Sequence, residues 1–177
     1  MSLARSCLGL AGVLALTVMA YAPVRTATFV YEDENAVSLN PAVSGTVPIA
    51  VNRARWLSAL SHRLVFHFIS RRPLASHLVN LSLHLLAGVL VWRIALTWLS
   101  AWPALVVMAC FLLHPMQTEA VAYVASRSEL LAACFALAAF WLYTRVSGHW
   151  WGVLMACVVV AFAVCAKESA IVIVPLM

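Results

Sequence analysis

Long apolar runs separated by short polar islands set the pattern of this chain. Apolar stretches cover residues 7–22, 74–96, 101–113, 130–144 and 150–165, and another begins at 170–177. Each of the five complete runs reads as a membrane-spanning helix, and the last as the start of a sixth. At the first run, Ala20 and Ala22 would suit a leader-peptide cleavage site. Pro23 would then be the first mature residue, so an uncleaved first span is the better reading. Residues 23–73 form the one long non-spanning segment. Inside it, Leu57, Leu60, Leu64 and Phe68 recur at helical spacing, while Ser58, Ser61, His62 and Arg63 are polar. That pattern predicts an amphipathic helix over Trp56–Ile69, lying in the membrane interface. Asn40-Pro41 and Gly45 mark turns. The expected fold class is therefore all-α, a polytopic transmembrane bundle.

The second span carries a polar stripe of His77, Asn80 and His84, continued by Gly88. Steps of three or four place these on one helix face, and in lipid such a face points at protein. Helix packing through hydrogen bonds and a small residue explains the stripe. A substrate-facing role for His77 or His84 is the alternative. Asn80-Leu81-Ser82 fits a glycosylation sequon, but inside a span it is unusable. After the third span, Pro115 ends the helix, and a short helical turn resumes around Thr118 to Ala125.

Composition agrees with this pattern. Of the 177 residues, 65% are hydrophobic and 10% are charged; soluble domains carry about 25% charged residues. The net charge of +5 is spread over dispersed arginines, with no basic face for nucleic acid. The five cysteines sit in apolar surroundings without a CxxC pair, so they read as buried hydrophobes. No metal-ligand set is visible.

Counting spans sorts the charges. The run Glu32-Asp33-Glu34 follows the first span, the island His114 to Glu129 the third, and Lys167-Glu168 the fifth. All three follow an odd span and so share one side of the membrane. All six acidic residues (Glu32, Asp33, Glu34, Glu119, Glu129 and Glu168) fall there. Carboxylates can exchange protons, while Arg127 and Lys167 suit a phosphate group. Together they fit transfer of a group from a lipid phosphate. The basic residues also favour this side, which by the positive-inside rule would face the cytoplasm.

These motifs resemble the membrane module of the tetratricopeptide-containing transmembrane O-mannosyltransferases and their bacterial relatives, which are C-type glycosyltransferases. The resemblance rests on Phe29-Val30-Tyr31-Glu32-Asp33 followed by Asn40-Pro41, and on Ser76 to His84. It rests further on His114-Pro115-Met116-Gln117-Thr118-Glu119-Ala120-Val121 with Arg127, and on Lys167-Glu168. It implies an outer-face site and a polyprenyl-phosphate-linked sugar as donor substrate, with no further cofactor. It implies a protein Ser/Thr hydroxyl as acceptor. Asp33 is the expected catalytic residue, with Glu32 and Glu34 as the other candidates. Arg127 and Lys167 would hold the donor phosphate, and His114, Glu119 and Glu168 would line or brace the site.

The family usually has Asp-Asp where this chain has Glu32-Asp33. The chain would cover about the first half of the module, and a tetratricopeptide domain would usually follow. The expected location is a bilayer, the bacterial inner membrane or, in a eukaryote, the endoplasmic reticulum. The competing classes are a non-catalytic membrane scaffold and a transporter fragment. Transporter sites lie near the membrane midplane, whereas these charges cluster at one interface.

Overall fold

The computed structural model of the protein describes residues 3–30, 33–49, 55–146 and 148–177. Tyr31, Glu32 and residues 50–54 lie outside the described residues. Among the described residues every regular element is helical.

Helix α1 spans Leu3–Ala20, and the outer loop carries the short α2, Pro41–Ser44, and α3, Trp56–Phe68. Helix α4 spans Pro73–Ala95 and α5 spans Ala101–Leu113. The short α6, Gln117–Ala122, precedes α7, Arg127–Val146, and α8, Trp150–Ala166. A 3-10 helix, Glu168–Leu176, ends the chain where a sixth span was expected to begin. Two of these stretches, Pro73–Ala95 and Val124–Val146, are each 23 residues long and apolar enough to cross a membrane. Three further apolar helices, Ser6–Ala20, Ala101–Leu113 and Trp150–Ala166, are shorter. At 1.5 Å per residue, α5 is only about 20 Å long, against about 30 Å for a hydrocarbon core. By length and composition, then, two of the five expected spans are supported.

Helix α4 is central, packing against α5 on one side and α7 on the other, while α7 also packs along α8 and α1 against α5. The stripe on α4 is inside: His77, Asn80, His84 and Gly88 are all buried. Its Gly88 is needed for close approach, because an added Cβ would lie 2.6 Å from the Leu112 side chain of α5. One turn away, His84 Nε2 is hydrogen-bonded to the Leu112 carbonyl at 3.0 Å. The packing reading therefore accounts for Asn80, His84 and Gly88.

Helix α3 turns its polar stripe inward. Ser58, His62 and Val65 are its buried residues, whereas Leu64 is 47% and Phe68 74% exposed. The loop before it is held by local chemistry. Asn40 Oδ1 caps α2 by accepting the Ala42 amide at 2.9 Å, Pro41 sits at the first helical turn, and Gly45 closes it at φ 90°. These are the roles for which Asn, Pro and Gly are suited at helix ends. Val37 and Val43 of the loop then bury against Val124, with Phe29 and Phe66 packed around them.

Candidate functional site

Three polar islands far apart in sequence meet at one end of the bundle. Asp33 is fully buried. Its Oδ1 accepts the amide of Ala125 at 2.7 Å, and its Oδ2 accepts that of Val30 at 3.2 Å. The first outer loop is thereby tied to the 3-10 turn Val124–Ser126 that leads into α7. The third island joins through ion pairs. Lys167 Nζ meets Glu129 Oε1 at 2.8 Å, and Glu168 Oε2 lies 3.8 Å from Arg55 Nε. The shared side expected from span counting is thus also a shared place.

Between these elements lies a cleft of ≈ 380 Å³. Its walls come from the outer loop (Ala36, Asn40, Arg55), α3 (Ser58, Ala59, His62), α6 (Glu119), the turn after it (Tyr123, Ala125, Ser126) and α7 (Ser128, Glu129). Glu129 also borders a smaller hollow of ≈ 250 Å³ lined by Lys167 and Ser169. The lining carries hydroxyls, an amide, two carboxylates and the guanidinium of Arg55. That set can hydrogen-bond hydroxyl groups and, at Arg55, attract an anion.

Arg127 sits below this surface. It is fully buried, and its guanidinium donates to Asn80 Oδ1 at 2.8 Å, the Ser76 carbonyl at 3.0 Å and Ser61 Oγ at 3.5 Å. Asn80 in turn donates from Nδ2 to the Tyr123 carbonyl at 3.3 Å. This buried network explains why α4 keeps an asparagine: its amide satisfies an arginine on one side and a backbone carbonyl on the other.

The remaining expected site residues are scattered. Glu119 lines the cleft and is exposed. Glu34 is exposed at the start of a single π turn, Glu34–Ser38. His114 is exposed at the end of α5, where its Nδ1 accepts the Met116 amide at 3.2 Å; it is not among the residues lining the cleft. Glu168 braces Arg55 from outside, and Glu32 lies outside the described residues.

His62 was not among the expected site residues. It is 3% exposed, lines the cleft, and its Nδ1 has no hydrogen-bond partner among the described residues. Burial, with the positive charge of Arg127 adding to it, lowers its pKa to about 2, so the imidazole is neutral at any physiological pH. The available signal was the i, i+4 pair Ser58 and His62 on one face of α3.

Comparison with known proteins finds relatives in sequence. Over 183 aligned residues the chain is 35% identical to the protein O-mannosyl-transferase Tmtc1 of Drosophila melanogaster, which covers 92% of this chain and 21% of that relative. The chain is a homologue of the TMTC protein O-mannosyl-transferases. It is also 33% identical to the human protein O-mannosyl-transferase TMTC3 over 68% of its length, and 35% identical to Drosophila Tmtc2 over 78%. The chain spans about a fifth of the length of Tmtc1 and less of these other two TMTC relatives. No family model and no solved structure matches it.

Proposed function

We propose that this chain forms part of a multi-pass membrane glycosyltransferase that moves mannose from a polyprenyl-phosphate donor to a protein Ser/Thr hydroxyl. The observation that carries this reading is the polar cleft between the loop 23–73, α3, α6 and α7, to whose lining residues Glu129 and Arg55 the Lys167-Glu168 pair is joined by ion pairs. The names of the relatives support the class of reaction. The inverted amphipathicity of α3 supports a membrane setting, because Leu64 and Phe68 face outward where lipid would cover them.

In this mechanism the sugar lies in the cleft among hydroxyls and carboxylates. Its phosphate is held by Arg55 of the lining, with Lys167 adding positive charge through its pairing with Glu129. Arg127 contributes its field from below, the same field that acts on His62. A carboxylate of the outer loop takes the proton of the acceptor hydroxyl as that oxygen attacks the anomeric carbon and the phosphate leaves. Asp33 is the proposed base, with Glu32 and Glu34 beside it in sequence. Asp33 itself is fully buried behind the cleft lining, with the amides of Ala125 and Val30 on its two oxygens, and Glu34 is the exposed member of this set. The five-span topology belongs to the same proposal.

The test is photocrosslinking in membranes. A short-chain polyprenyl phosphate carrying mannose and a photoreactive group is expected to label peptides lining the cleft, above all those of α3 and α6. Excess unlabelled donor should compete the labelling away. Labelling confined to lipid-facing helices, and insensitive to competitor, would overturn the reading.

A further inference from the structure

We propose that His62 is a sugar-binding residue of the cleft, presenting a neutral imidazole nitrogen to a hydroxyl of the transferred sugar. This rests on the glycosyltransferase reading and adds a contact that the motif comparison did not supply.

Several buried polar atoms lack a hydrogen-bond partner among the described residues, including both ring nitrogens of His77 and Nδ1 of His84. Of that set, His62 is the residue that also lines the cleft. A buried polar nitrogen left unpaired costs about 1–3 kcal/mol, so a fold keeps one most readily where a ligand completes it. The ring already forms part of the cleft wall beside Ser58. Histidine χ2 is a broad torsion, so the ring can turn its nitrogen toward a ligand without backbone movement.

The surroundings select the ligand. His62 shares the cleft lining with Ser58 of its own helix, the carboxylates Glu119 and Glu129 and the guanidinium of Arg55. Burial keeps the ring uncharged, with Arg127 acting in the same direction. A neutral imidazole has one donor and one acceptor nitrogen. Sugar hydroxyls offer the matching donor and acceptor on one atom. A phosphate offers only acceptors, so it can use the donor nitrogen of the ring but not the acceptor one. The imidazole therefore suits a sugar hydroxyl, and the phosphate belongs beside Arg55 of the same lining.

The experiment compares two probes on the full chain in lipid nanodiscs. One is a short-chain polyprenyl phosphate carrying mannose, and the other is the same lipid phosphate without sugar. His62→Ala should weaken the mannosyl probe about tenfold or more while leaving the sugar-free probe within twofold. His62→Gln, which keeps a neutral donor and acceptor, should recover part of the loss. The melting temperature of His62→Gln, which keeps most of the buried volume, should stay near that of wild type, because Nδ1 has no internal bond to lose.

Equal binding of the mannosyl probe by wild type and His62→Ala would overturn this inference and leave the glycosyltransferase reading standing. Equal weakening of both probes, with a lower melting temperature, would assign His62 a structural role instead. Failure of wild type to bind either probe would overturn the donor reading and this inference with it.

Discussion

The carboxylate of Asp33 holds the backbone amide of Ala125 at 2.7 Å across 92 residues of sequence. Replacing Asp33 with Asn removes the charge and leaves one side-chain oxygen to serve two amides. Charge-assisted hydrogen bonds are worth about 1.5–3 kcal/mol, so Asp33→Asn is expected to lower stability by roughly that amount. Hydrogen exchange should rise at the Ala125 amide and at its neighbours in the turn. Unchanged protection at Ala125 would show that the bond does not hold the loop in place.

Arg127 makes a second separable prediction. Lysine keeps the charge but not the planar fork that reaches Asn80, Ser76 and Ser61 together. Arg127→Lys should therefore destabilise the fold by about 1–3 kcal/mol through unsatisfied buried partners. A normal melting temperature combined with loss of donor binding would instead make Arg127 a direct phosphate ligand.

Helix packing can be tested at Gly88. A Cβ there would stand 2.6 Å from Leu112, and overpacking of this kind costs about 1–3 kcal/mol. Gly88→Ala should lower the melting temperature, and the double variant with Leu112→Ala should show less than the sum of the two losses. Strict additivity would mean that α4 and α5 do not meet at this point.

Protonation of His62 links stability to pH. Its folded-state pKa, lowered to about 2, lies below its ordinary value of 6.5. The unfolded chain therefore takes up the proton first as pH falls. The neutral buried ring contributes in full above about pH 6.5, and stability then declines by about 1.4 kcal/mol per pH unit on acidification. Unfolding measured from pH 7.5 to 5 should show this slope in wild type, and His62→Gln should remove one proton's worth of it.

The proposed topology puts the three islands on one side of the membrane. Single cysteines at Glu34, His114 and Ser169, all exposed positions, should share one pattern of reaction with an impermeant maleimide in intact cells. A split pattern would break the single-site arrangement.

The apolar runs, Pro115 and the Asn40-Pro41 and Gly45 signals made the helices, their breaks and the α2 turn readable from sequence. Each is a local effect of side-chain transfer free energy or of backbone geometry. The one-side placement of Glu119, Glu129 and Glu168 rests on a count of five crossings, of which length and composition support two.

What tertiary structure decided was depth and partnership. Periodicity shows that Ser58 and His62 share a face of α3, but not that this face turns inward while Leu64 and Phe68 turn out. That choice depends on what covers the outside. Sequence marks Arg127 as a cation near the site, yet only packing shows its guanidinium committed to Asn80, Ser76 and Ser61 beneath the cleft. The same holds for Asp33 and Ala125. A hydrogen bond between residues 92 positions apart has no local trace, because its partner is a backbone amide that every non-proline residue carries.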